Sequence, residues 1–386
     1  MIFWWTMLSI PLPFVITVVG TMVLTAFVYL KSMLKPRDYL PKLFYKESAL
    51  TKHLLKRCRG LTRPFRPPLW AQNAHVQTFM AAFLPGPRVE FDREYLQMKD
   101  RGVVALDWVI PENHKSNPKK TNPVLIVLPG MTGDAVSVAG LCYDGAKKGY
   151  RVVVFNKRGH GGSVLTTAML QSFGDPSDLR QVVKYIRGRY PKAKLTAAGI
   201  SAGSGLLVSY LGEFGSSSYL SAAVCISPGY DAWELFTKHV FAFYDFCLLF
   251  SLKRLLSTHS SALSKVVDVP AAMQSKTLCE FDRLVYCKLY GCNSLQEYWE
   301  KNNPMRDVDD IAVPVLCINS LDDPVCVKGN IPFELFKYYP NFFLVATEKG
   351  GHCGFLEGTP PKPWANKLAL EYLSAVLEFF TIHGER

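Results

Sequence analysis

The chain has 386 residues, 49% of them apolar, and a formal net charge of +12. That length and apolar share exclude global disorder and leave room for one large α/β domain or two small ones. Ten cysteines lie scattered from Cys58 to Cys353, without the close pairing of a small disulfide scaffold. They read as buried thiols in a reducing compartment, and Cys287 and Cys292 lack the nearby histidine or second pair that zinc would need.

Met1 to Leu30 carry no charged side chain. At about 1.5 Å per residue such a run is long enough to cross a bilayer of about 30 Å. It has neither a basic n-region nor a small-x-small cleavage site, which argues against a removed signal peptide. The expectation is a transmembrane anchor over 1–30. From Lys31 to Trp70 eleven Lys or Arg face only Asp38 and Glu47, so nine of the twelve net positive charges fall in this stretch. Residues 31–70 are therefore expected to form a basic juxtamembrane segment suited to anionic lipid headgroups. The positive-inside rule then places the rest of the chain on the cytoplasmic side, as a single-pass protein of the endoplasmic reticulum or a related endomembrane. No nucleic-acid module accompanies the charge, so nucleic acid is not an expected partner.

From residue 71 the pattern changes. Arg88 to Met98 and Val103 to Ile110 read as an antiparallel opening pair, and Val124–Leu128 as a short strand buried on both faces. Similar runs follow at Arg151–Asn156, Lys194–Ala198, Ser221–Ile226, Val313–Asn319 and Asn341–Thr347, separated in several places by amphipathic segments such as Asp178–Arg189. Trp364 to Phe380 closes the chain as a helix. The alternation predicts an α/β fold over 71–386, a mostly parallel central sheet with helices on both faces. Residues 231–303 interrupt it with a long, aromatic-rich, helical stretch, expected to be an inserted cap whose rings cover an apolar pocket.

Gly199-Ile200-Ser201-Ala202-Gly203 joins the strand at 194–198 to an apolar helix. Small residues at such a junction let the chain turn sharply enough to expose a serine Oγ, and put the Ala202 amide at a helix N-terminus, where an oxyanion would be stabilised. A serine needs a base and an acid to orient that base. After Val313–Asn319 comes Ser320-Leu321-Asp322-Asp323-Pro324, and after Asn341–Thr347 comes Gly350-Gly351-His352-Cys353-Gly354. The order nucleophile, acid, histidine is that of an α/β-hydrolase. Ser201, Asp323 and His352 are the expected triad, with Asp322 the alternative acid or a cap of the turn. The second oxyanion amide is expected at Met131, in Leu128-Pro129-Gly130-Met131-Thr132-Gly133. Asn156 to Gly162 has no Gly-Lys-Ser/Thr ending and reads as an architectural turn; His160 and His75 read as structural.

Leu128-Pro129-Gly130-Met131-Thr132-Gly133, Val154-Phe155-Asn156-Lys157-Arg158-Gly159, Gly350 to Leu356 and His75-Val76-Gln77-Thr78 together resemble the YheT-like, membrane-anchored branch of the α/β-hydrolases. The resemblance spans Pro67 to the C-terminal helix. It implies an esterase or lipase of acylglycerols or phospholipids, and puts Ser201, Asp323 and His352 on the family's nucleophile, acid and base positions. Many relatives carry Met-Gly-Gly after the nucleophile, where this chain has Ala202-Gly203-Ser204.

The expected function is a membrane-anchored serine hydrolase of lipid carboxylic esters, working through an acyl-enzyme without metal or organic cofactor. The same chemistry with an alcohol acceptor would make an acyltransferase. Because one fold hosts several functions, a regulator of lipid metabolism that binds a signalling protein is the other alternative.

Overall fold

The computed structural model describes residues 20–21, 38–84, 86–111 and 119–384. Residues 39–386 form one compact unit. At its centre is a nine-stranded sheet of β1 (Lys42–Tyr45), β2 (Phe91–Gln97), β3 (Val103–Val109), β4 (Val124–Leu128), β5 (Arg151–Asn156), β6 (Leu195–Ile200), β7 (Leu220–Ile226), β8 (Val315–Ser320) and β9 (Phe342–Thr347). Their order is β1-β9-β8-β7-β6-β4-β5-β3-β2. The strands from β5 to β9 in that order pair in parallel; β3, β2 and β1 close the two edges antiparallel.

The unbroken apolar runs of the parallel strands follow from burial on both faces. Val124, Ile126 and Leu128 of β4 pack with α4 (Ser177–Arg189) and α5 (Ala202–Phe214). Leu125 and Val127 face the other way, toward α1 (Ala49–Arg57), α3 (Ala139–Lys147) and α9 (Trp364–His383). The remaining helices used below are α2 (Ala74–Phe83), which leads into β2, and α6 (Ala242–Thr258), α7 (Leu278–Leu284) and α8 (Leu295–Lys301). These last three belong to the helical insertion between β7 and β8, which has its own apolar core around Leu252, Leu256, Phe281 and Trp299. The fold is that of an α/β-hydrolase with a cap.

The compact unit begins at Tyr39 rather than at residue 71. Lys42–Tyr45 adds an edge strand to β9, and the Tyr45 ring stacks on Phe343 at 4.7 Å. Ser48 and Thr51 start α1 with a reciprocal capping box. Leu54, Cys58, Leu61 and Phe65 are buried, while the basic side chains between them stay largely outside. Between Lys42 and Arg66 the positive charge is the solvated side of a packed segment.

The expected anchor over 1–30 lies, apart from residues 20 and 21, outside the described residues. Among the described residues no helix is long and apolar enough to cross a membrane. The longest, α9, carries Lys367, Glu371 and Glu378 and packs its apolar side into the body. A spanning helix needs about 20 predominantly apolar residues. The single-pass topology is therefore corrected to the statement that no helix among the described residues spans a membrane. The membrane as a partner, the endomembrane location, the cytoplasmic orientation and the membrane-anchored part of the family resemblance, all expected from that anchor, lose that support and are corrected with it.

Leu54→Ala separates a packed segment from a surface collar. Loss of this buried side chain should cost about 2–5 kcal/mol in urea or thermal unfolding, whereas a solvated collar residue would cost almost nothing.

Candidate active site

The site begins where β6 runs into α5. Ser201 sits between them at φ 52, ψ −122, a strained conformation for a residue with a Cβ. Its N–H donates to the Ile226 carbonyl at 2.8 Å, fixing the turn to β7. A Cβ on Gly203 would lie 2.2 Å from the Leu128 carbonyl oxygen, and one on Gly199 would lie 2.5 Å from the Gly203 carbonyl oxygen. Only glycine lets helix and strand approach this closely. Ser204 is fully buried, and its Oγ donates to Gly199 O at 2.7 Å. Its hydroxyl ties the elbow from inside.

The structure brings Ser201, Asp323 and His352 together from three strand ends. Ser201 Oγ lies 2.8 Å from His352 Nε2, and His352 Nδ1 lies 2.9 Å from Asp323 Oδ2. The other Asp323 oxygen accepts from Val325 N and Cys326 N, each at 2.8 Å. Asp322 has a different post: its Oδ1 accepts from Gly351 N at 3.0 Å and from the Ser320 hydroxyl. It holds the loop that carries His352.

That loop is clamped from the other side by α2, a contact sequence reasoning did not foresee. His352 N donates to Thr78 Oγ1 at 2.8 Å, and Leu356 N donates to Gln77 Oε1 at 2.9 Å. Gly351, at φ 58, leaves only 2.4 Å between a would-be Cβ and the Ala74 carbonyl oxygen. The His75-Val76-Gln77-Thr78 motif was the available signal, and this clamp is its physical content. His75 itself meets Tyr244 OH at 2.8 Å.

Met131 lies on the loop after β4, and a Cβ on the preceding Gly130 would be 3.6 Å from that of Ser201. Lys157 Nζ donates to Gly130 O at 3.1 Å and to Met131 O at 2.7 Å. In a trans peptide the N–H points opposite the carbonyl before it, so the Met131 N–H is turned away from Lys157. Ala202 opens α5, where its N–H has no partner within the helix. Burial pulls the Lys157 ammonium down to about 7. His160 sits beside it, with burial and then the charge of Lys157 lowering its pKa to about 3. A neutral His160 donates to only one of its two carbonyl neighbours, Arg158 O or Met131 O. The Asn156–Gly162 turn therefore braces the loop carrying Met131, in keeping with an architectural part.

The cap differs from the aromatic lining expected. Phe241 and Phe243 are 58% and 64% exposed, and Phe246 and Phe250 are similarly open. Phe236 instead packs edge-on against Trp299, and Tyr244 stacks on His75. Most of the rings on α6 thus face outward.

Asp323, Cys326 and His352 bring one possible ligand atom each within 4.8 Å of one another, the one such grouping among the described residues. Both imidazole nitrogens are already engaged, and burial pushes the Cys326 thiol up to about 11. A cation would have to displace a proton and break the Ser201–His352–Asp323 chain.

Burial is the largest single influence and works against the His352 imidazolium, but the Asp323 carboxylate and the smaller contributions of Cys353 and Cys326 together outweigh it, and the pKa is raised well above 6.5. The charged pair stabilises the fold fully below the unfolded value near 6.5 and stops doing so as pH rises through the folded value. An NMR titration of the imidazole should have its midpoint above 6.5. Asp323→Asn removes the carboxylate and leaves the burial, so the midpoint should move down; no movement would contradict this origin of the shift.

The family described as Hydrolase_4, Serine aminopeptidase, S33 matches residues 119–339. Human Protein ABHD15 is 42% identical over 359 residues, covering 89% of this chain and 76% of that protein. Human Phospholipase ABHD3 is 30% identical over 371 residues, covering 94% and 90%. Human Monoacylglycerol lipase ABHD2 is 28% identical over 373 residues, covering 88% and 86%. With over half its length matched by the family and its fold shared, the chain belongs to the serine aminopeptidase S33 family of α/β-hydrolases and is a serine hydrolase.

Proposed function

We propose that the chain hydrolyses lipid carboxylic esters of the acylglycerol or phospholipid class through Ser201, His352 and Asp323. The observation that carries this reading is the continuous chain from Ser201 Oγ to His352 to Asp323, with separations of 2.8 and 2.9 Å. The lipid class is supported by the relatives whose names give a phospholipase and a monoacylglycerol lipase.

In this mechanism His352 Nε2 takes the Ser201 proton as Oγ attacks the ester carbonyl. Asp323 holds Nδ1–H and stabilises the imidazolium that forms. The amides of Ala202 and Met131 receive the developing oxyanion. His352 then gives its proton to the leaving alcohol, and the acyl group stays on Ser201. Water, deprotonated by His352, releases the fatty acid and restores the serine.

Ser201→Ala and His352→Ala should each lower ester hydrolysis by several orders of magnitude in protein that remains folded. Fluorophosphonate should label the unaltered chain at Ser201 and leave Ser201→Ala unlabelled. Asp323→Asn should be severely impaired and Asp322→Asn less so, because Asp322 acts on the loop and not on the imidazole. Comparable hydrolysis by a folded Ser201→Ala protein would end this reading.

A further inference from the structure

Between the Met131 loop and the cap lies a cavity of about 30 Å³. That is room for about a water molecule or a group of similar size. Its polar lining comes from Lys157 and Gln171 of the body, Asp282 on α7, Tyr286 just after it and Tyr298 on α8. Asp282 is 7% exposed and Gln171 4%; both tyrosines are also buried. Gln171 commits its Nε2 to Asp175 O at 2.8 Å, leaving Oε1 without a partner. Among the described residues, no hydrogen bond reaches the Asp282 carboxyl or the Tyr286 and Tyr298 hydroxyls either. Buried polar groups are ordinarily paired, and one orphan is uncommon. Here Gln171 Oε1 is such an orphan, and three more polar residues without a hydrogen bond to their side-chain oxygens line the same cavity beside the proposed oxyanion loop, which calls for a polar occupant.

Their chemistry narrows the occupant. Gln171 Oε1 only accepts, so the guest must donate. Burial, with Asp245 nearby, raises the Asp282 pKa well above the ordinary carboxylate range, favouring a neutral acid that both donates and accepts. The tyrosine hydroxyls do the same. A guest hydroxyl, donor and acceptor at once, satisfies this set, whereas an ammonium would meet an uncharged acid and Lys157 on the same cavity wall. We propose that the cavity is an alcohol-side subsite that takes a free hydroxyl of a polyol ester, such as a glyceryl ester, through Gln171, Asp282, Tyr286 and Tyr298. The inference rests on the ester-hydrolase reading above and adds the group recognised beyond the scissile bond.

The test compares three water-soluble butanoate esters on the purified full chain: glyceryl, propyl and 2-aminoethyl. The glyceryl ester should exceed the propyl ester in kcat/KM by on the order of tenfold, since a site built to bond a hydroxyl rejects the analogue lacking it. Asp282→Leu should collapse that ratio toward one. Tyr286→Phe, which removes a single oxygen and keeps the ring, should lower it severalfold if Asp282→Leu does not fold. Equal Ser201-dependent rates on glyceryl and propyl esters would mean a cavity that only holds water, and would overturn the subsite while leaving the hydrolase reading intact. So would a preference for the aminoethyl ester, or a ratio that neither variant moves. No Ser201-dependent turnover of any ester would overturn the hydrolase reading and this inference with it.

Discussion

A Cβ at residue 203 would stand 2.2 Å from the Leu128 carbonyl oxygen, and the site is built around that lack of space. Because α5 is pressed against the ends of β4 and β6, Ser201 must take up the reversal of the chain at a positive φ. The reversal presents its Oγ away from the sheet. The same approach places the loop after β4 beside the serine, with a Cβ on Gly130 only 3.6 Å from that of Ser201. Buried Ser204, bonded to Gly199 O, adds a tie where the helix leaves the strand. Such strain persists only when the surroundings over-determine it, and here three elements do.

The opposite side of the site depends on loops held by their neighbours. Asp323 ends a turn in which two backbone amides secure one oxygen, so the other is presented to His352 in one orientation. His352 rides on a loop pinned by Asp322 from below and by Thr78 and Gln77 from α2. The imidazole, the proposed base, is thus located to within hydrogen-bond length of Ser201 by groups that do not touch the serine. Lys157 does the corresponding work for the Met131 loop, at the cost of burying an amine.

How much of this could be read in the sequence depended on whether the information was local. The run Arg151–Asn156 became β5 with the same bounds, and Val124–Leu128 became β4, because strands buried on both faces leave unbroken apolar runs. Ser201, Asp323 and His352, which the structure brings into contact, stood out because their order, and the glycines beside Ser201 and His352, are set by strand ends. Lys42–Tyr45 was missed because an edge strand of four residues, amid eleven basic side chains, leaves little periodic pattern. Its partner β9 lies some three hundred residues away, beyond what local pattern can report. The outward Phe243, Phe246 and Phe250 show the reverse failure: aromatic content marked the cap without telling which side faced solvent. Likewise Asp282 and Gln171 gave no signal alone, because a polar cavity exists only after distant segments pack together.

The central claim is that Ser201 forms the covalent bond to the substrate. Acid quenching during turnover of a slow ester, followed by peptide mass spectrometry, tests it most directly. The account predicts an acyl mass on the peptide containing Ser201, appearing before steady-state product and disappearing when substrate is exhausted. Hydrolysis with an acyl adduct on another residue, or with none trapped at any time while a burst of alcohol is released, would contradict it.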